Sequence, residues 1–164
     1  MIVKDAMVLI HLAKITVLRI SCDFFRKVAI PKRVYNEIEK GKEKGHEDIN
    51  LIEELIMAGK IQVKQIKKNK LLNKANQYNI QRGEAEAVAL YWQEKADYLA
   101  TDDDNIRRKA ILLNLTVIGT PSILTSLFKN KLISKKKYYE SINELKKIGW
   151  FSPQVIDKMK QEVA

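Results

Sequence analysis

Apolar residues alternate between short strand-like runs and helical spacings along the whole chain. Ile2-Val3 opens a strand over Met1–Asp5, and Ala6–Lys14, apolar at nearly every position, predicts the start of a buried helix. A second helix is expected over Ile15–Phe25 and a strand over Lys27–Ile30. Pro31 then suits the first turn of a helix. That helix carries Val34, Tyr35 and Ile38 on one side and is expected to stop at Gly41. Beyond a charged loop, Gly41–Asp48, an amphipathic helix covers Ile49–Ala58 and Ile61–Ile66 alternates as a strand does. Lys67–Lys70 reads as a turn and Leu71–Tyr78 as a helix.

The stretch from Gly83 to Asn105 organises the rest. A helix opening on Glu84 places Ala85, Val88, Ala89 and Trp92 at the spacing of one buried face. A short strand, Tyr98–Thr101, then runs into Asp102-Asp103-Asp104. A helix through Ile106, Ala110 and Ile111, a strand over Leu115–Gly119 and a helix from Thr120-Pro121 follow. Ser134 is the expected N-cap of Lys135–Ile148, and Ser152-Pro153 repeats the signal for a last helix. Strands alternating with helices predict an α/β fold with a mostly parallel sheet. One domain over residues 1–164 is expected, with its core in about 1–133 and residues 134–164 as an appended helical layer. Trp150 and Phe151 either pin that layer to the body or mark an oligomer contact.

Composition sharpens the picture in two places. With 46% hydrophobic and 30% charged residues in 164, the chain suits an ordinary globular domain rather than a disordered one. No apolar run approaches a membrane span, and no basic, apolar leader opens the sequence, so a cytoplasmic protein is expected. The single cysteine, Cys22, excludes an internal disulfide and reads as a packed core thiol. The net charge of +10 attracts phosphates, although solubility alone accounts for it equally well. A basic chain that keeps a compact acidic cluster suits binding a polyanion and delivering metal to it.

Three successive carboxylates need a counter-charge: solvent, a basic partner or a divalent metal. They stand where a parallel strand ends, the edge at which open α/β sheets bind ligands. Asp5 and Asp102 close two such strands, and Glu37 and Glu84 lie on helices that can line the same edge. Four hard oxygen donors suit Mg²⁺ or Mn²⁺ and support phosphodiester hydrolysis without a histidine base. His11 and His46 have no metal-ligand spacing and receive no role. Each acid also has a plainer explanation. Asp5 suits a helix N-cap, Glu84 a dipole-stabilised first turn, Asp103 and Asp104 capping, and Glu37 a solvated helix face. Periodicity does not choose between Glu37 and Glu39, or between Glu84 and Glu86. Arg107 and Arg108 follow the acids by one helical turn and are candidate phosphate contacts. No aromatic-rich sheet for stacking bases is visible, which argues against a base-reading module.

Taken together, these residues resemble the PIN-domain ribonucleases, including the VapC-like toxin branch. Ile2-Val3-Lys4-Asp5 with Leu9-Ile10-Leu12-Ala13 resembles the family's first strand, first acid and apolar helix. Ile30-Pro31-Lys32-Arg33-Val34-Tyr35-Asn36-Glu37 resembles its second-acid segment and selects Glu37. Gly83-Glu84-Ala85-Glu86-Ala87 with Ala89, and Thr101-Asp102 after a strand, resemble its third and fourth acids and select Glu84. The likeness spans about residues 1–133. It implies a three-layer α/β/α sandwich and a Mg²⁺- or Mn²⁺-dependent endoribonuclease whose catalytic and metal-binding residues are Asp5, Glu37, Glu84 and Asp102. Thr101, Arg107 and Arg108 are the expected substrate contacts. In the toxin branch the resemblance further implies an antitoxin partner and a homodimer. Two departures stand out. Met7 occupies a position that usually carries a small polar residue, and Lys4 beside Asp5 is expected to contact phosphate or be exposed. The competing expectations are a catalytically impaired RNA-binding protein, motivated by Met7, and a Toprim-like nuclease domain, which matches only the acidic run at Asp102–Asp104.

Overall fold

Five short strands make the centre of the computed structural model, which describes residues 1–45 and 47–163. They are β1 (Ile2–Lys4), β2 (Val28–Pro31), β3 (Ile61–Lys64), β4 (Tyr98–Ala100) and β5 (Val117–Ile118). Their order is β3-β2-β1-β4-β5, and every pair is parallel. Alternate residues of a strand face opposite layers. Ile2, Val28, Ile30 and Ile61 accordingly enter one apolar cluster, and Val3, Ala29 and Leu99 the other. Both faces are covered, which is why the strands read as apolar runs.

The first layer holds α1 (Ala6–Lys14), α2 (Leu18–Phe25), α4 (Glu47–Met57) and α8 (Thr120–Lys129), and the second α5 (Asn69–Gln77), α6 (Arg82–Glu94) and α7 (Asp104–Lys109). The fold is a three-layer α/β/α sandwich. Helix α3 (Lys32–Lys42) buries Val34 and Ile38 in the first layer while also packing against α6, so it bridges both layers at the carboxyl end of the sheet. Helices α9 (Lys135–Ile148) and α10 (Pro153–Gln161) close over α8. Tyr138 is fully buried there, stacked on Phe128, and its hydroxyl donates to the Met159 carbonyl at 3.1 Å. Among the described residues no helix is long and apolar enough to cross a membrane. His46 lies outside the described residues.

Several expected boundaries shift for local reasons. Residues 15–17 do not join α2, because Thr16 takes a left-handed conformation with φ 59°. Gly41 does not stop α3. It lies inside the helix, where an added Cβ would stand 2.5 Å from Ile49 Cδ1, so glycine serves the close approach of α4. Helix α7 ends at Lys109, which leaves Ile111 97% exposed rather than on a buried face. Lys4 is neither exposed nor a phosphate contact. Strand alternation turns it into the first layer, where Nζ donates to Ser21 Oγ at 2.6 Å and no surface is exposed. Burial pushes its ammonium down to about 8.

Candidate active site

The strand order reverses between β1 and β4, which places the first residues beyond both strands side by side. The ladder runs on past the strand ends: the Asp5 amide donates to the Ala100 carbonyl at 3.1 Å, and the Thr101 amide to Ile118 at 3.0 Å. Asp5 caps α1, its Oδ1 accepting from the Val8 amide at 2.9 Å, and only 5% of the residue is exposed. Burial, reinforced by the charges of Asp102 and Glu84, pushes its carboxyl up to about 7, against the bonds from Thr101 and Val8. Thr101 is wholly buried, and its hydroxyl also accepts the Asp103 amide at 3.1 Å. It therefore faces Asp5 and orients it.

Asp102 forms the other half of the floor. The Thr120 amide donates to Oδ1 at 2.7 Å, while the Thr120 hydroxyl and His11 Nδ1 reach Oδ2 at 2.5 and 2.8 Å. A carboxylate only accepts, so the bond assigns the proton to Nδ1. Among the described residues His11 Nε2 has no hydrogen-bond partner. Gly119 must be small here, because an added Cβ would stand 2.8 Å from Asp102 Oδ1 and 3.5 Å from an Arg107 guanidinium nitrogen.

Above this floor lies an exposed acidic mouth. Glu84 opens α6, and desolvation together with Asp103 and Glu37 holds its carboxyl above the usual range. Glu37 reaches across from α3 so closely that a Cβ on Gly83 would stand 2.6 Å from its Oε1. The neighbouring acids point elsewhere. Glu39 accepts from the Tyr35 hydroxyl, and Glu86 accepts the Arg33 amide at 3.1 Å, closing the first turn of α3. Asp103 is half-buried and caps α7 through the Ile106 amide at 2.8 Å. It belongs to the cluster as well, since its charge acts on Glu84. Asp104 is exposed in the first turn of α7. Four helices, α1, α6, α7 and α8, begin at this edge, and the positive ends of their dipoles offset part of the repulsion.

Cations flank the acids. Arg107 and Arg108 are exposed, and Lys109 donates to the Tyr78 carbonyl. On the α3 side, Lys32, Arg33, Lys40 and Arg82 line a cleft of about 720 Å³ with Glu37 in its wall. Met7 and Glu37 share a second groove, so the apolar Met7 stands at the mouth.

A family model described as PIN domain matches residues 1–164. The chain belongs to the PIN-domain family. No curated protein and no solved structure gave a match. The match runs through residues 134–164, so α9 and α10 fall within the family's extent, not beyond it. PIN domains are generally nucleases and use divalent metal ions. The donor chemistry of this PIN domain fits such an ion: hard carboxylate oxygens from separate elements meet here, and burial together with the charges of neighbouring acids holds Asp5 and Glu84 above the usual carboxylate range. Among the described residues, however, no three acidic, histidine or cysteine side chains already stand as a closed ligand group.

Two contributors escaped the sequence. His11 carries no spacing signal, because its link to Asp102 exists only through packing of α1 against the end of β4. Thr120 was readable in principle, since the end of β5 reaches the same edge as β1 and β4.

Proposed function

We propose that this PIN-domain protein is a divalent-metal-dependent endoribonuclease. The observation that carries the reading is the meeting of Asp5, Asp102 and Glu84 at the switch point, with the Asp5 carboxyl raised to about 7 by burial and by those two charges. Asp5, Glu84, Asp102 and Glu37 would hold Mg²⁺ or Mn²⁺, with Asp103 supporting them. When bound, the ion supplies a water of lowered pKa and neutralises charge developing on the phosphate. The chain's own residues do the rest. Thr120 and His11 hold Asp102 in one orientation, and Thr101 and the Val8 amide hold Asp5. Arg107 and Arg108 take the phosphates of the incoming strand on one side, and the Lys32–Arg82 cleft takes them on the other.

A second reading, an RNA-binding protein with an impaired site, is favoured by Met7 at the mouth and by the absence of a closed ligand group among the described residues. Cleavage of single-stranded RNA with Mn²⁺ separates the two. Native protein is expected to cut, while Glu84→Gln and Asp102→Asn lose activity at least about a hundredfold. Equal turnover in all three would sink the nuclease assignment. Salt-sensitive binding without any cleavage would establish the second reading.

A further inference from the structure

The link between α9 and α10 returns to the acids. Gly149 ends α9 in the left-handed region with φ 73°, and Ser152 caps α10, its Oγ accepting from the Val155 amide at 3.3 Å. The two aromatic residues between them are therefore held from both sides. Phe151 packs edge-on against His11, with ring centres 5.4 Å apart, and is largely covered. Trp150 also touches His11, at 5.8 Å, and its Nε1 donates to the Asp102 carbonyl at 3.4 Å, yet 53% of the residue is exposed. Pinning the link is work that Phe151 already does. An indole anchored by one edge and one flank, open on the rest, is a rigid platform.

What lies beside the platform indicates its occupant. Asp102 is bonded to Trp150 through its carbonyl, while its carboxylate lies close to the Arg107 guanidinium across Gly119. An aromatic face, a guanidinium and a carboxylate nest on one residue's surroundings match a nucleotide's base, phosphate and reacting centre. Single-stranded RNA offers unstacked bases, and every base has a face that stacks on an aromatic ring. We infer that Trp150 is a substrate-positioning residue on which a nucleobase near the cleaved phosphate of single-stranded RNA stacks. The inference rests on the ribonuclease reading of this edge, and it adds a preference for single strands over duplex, whose bases stay paired.

The test uses fluorescence in a Trp92→Phe background. Trp92 lies away from the site, its Nε1 bonded to the Leu113 carbonyl at 3.1 Å, so this change leaves Trp150 as the sole reporter. A ten-nucleotide single-stranded RNA, added in EDTA, is expected to quench Trp150. An equally long oligonucleotide lacking bases, or a duplex, leaves the emission unchanged. Trp150→Ala is expected to weaken single-strand binding about tenfold to hundredfold, and Trp150→Phe to restore most of it. Absent quenching, equal quenching by the baseless strand, or unchanged binding in a folded Trp150→Ala protein would overturn the inference. So would a dimer of the parent that dissociates on this substitution, because a second copy would then cover the ring. Cleavage with Mn²⁺ is scored separately. Cleavage without quenching removes the stacking alone, and quenching without cleavage removes the nuclease reading alone.

Discussion

Gly83→Ala separates the site from the fold more cleanly than removal of any acid. Gly83 lies in the first turn of α6 with an ordinary helical conformation, where alanine is the better helix former by about 0.5–1 kcal/mol. Taken alone, the change should stabilise the protein and raise Tm by about 1–4 °C. The added methyl, however, would stand 2.6 Å from Glu37 Oε1 and 2.9 Å from Oε2. Carbon and oxygen rest about 3.4 Å apart, so the carboxylate must retreat by about 0.8 Å. It sits at the end of a flexible side chain on an exposed helix face, so the retreat costs little stability. Catalysis tolerates it poorly, since a misplacement of about 1 Å can cost up to about a hundredfold in rate. The expected result is a melting temperature equal to or above the parent's, with Mn²⁺-dependent RNA cleavage reduced about tenfold to hundredfold. Glu37→Ala combined with Gly83→Ala should melt higher still, because the crowding is gone. Full cleavage by Gly83→Ala would refute a role for Glu37 in the site. A marked loss of stability would refute the close, yielding approach of the Glu37 carboxylate to Gly83.

Other outcomes follow from the floor of the site and its surroundings. Asp5 is an acid whose folded pKa, about 7, exceeds its ordinary 3.8, so its contribution to stability is full below about pH 4 and is lost as pH rises through 7. Asp5→Asn keeps the N-cap and removes that loss, so in EDTA it should gain up to ~4 kcal/mol on the parent above pH 7 in denaturant melts; a difference that does not vary with pH would contradict this. Thr120→Val removes the hydroxyl on Asp102 Oδ2 but leaves the amide on Oδ1, and should cost about 2 kcal/mol, a cost that a double-mutant cycle with Asp102→Asn should cancel. Lys4→Met with Ser21→Ala should be neutral to stabilising in urea melts and leave RNA cleavage unchanged, since Lys4 is buried away from the edge. Arg107→Gln with Arg108→Gln should weaken RNA binding uniformly across sequences and flatten the salt dependence by about 0.7 per lost phosphate contact, read by anisotropy titrations at several salt concentrations.

The succession of strands and helices along the chain was legible because each depends on local pattern: apolar runs for strands covered on both faces, and caps and prolines for helix starts. What was illegible depends on close approach. Gly41 has the look of a helix stop and serves instead as a gap for Ile49, a distinction that exists only once α3 meets α4. Lys4 beside Asp5 suggests a charged rim, yet strand alternation carries it into the opposite layer to Val3, onto Ser21. The acids divide along the same line. Their order along the chain revealed a shared edge, but not that Asp5 and Asp102 form a buried floor while Glu37 and Glu84 form an exposed mouth.

That division has a mechanical consequence. The floor acids already have partners, Asp5 with Thr101 and Val8, and Asp102 with Thr120 and His11, and both are locked in place. The mouth acids are exposed and repel one another, and only the starts of nearby helices offset part of that repulsion. A cation entering the cluster would therefore draw in Glu37 and Glu84 while the floor stays still, because only the exposed side chains have room to move. Metal titration followed by hydrogen exchange should thus protect the second turn of α3, which carries Glu37, and the first turn of α6, and leave β1 and β4 unchanged. Protection that spread first to the strands would show that the floor, not the mouth, is the part that yields.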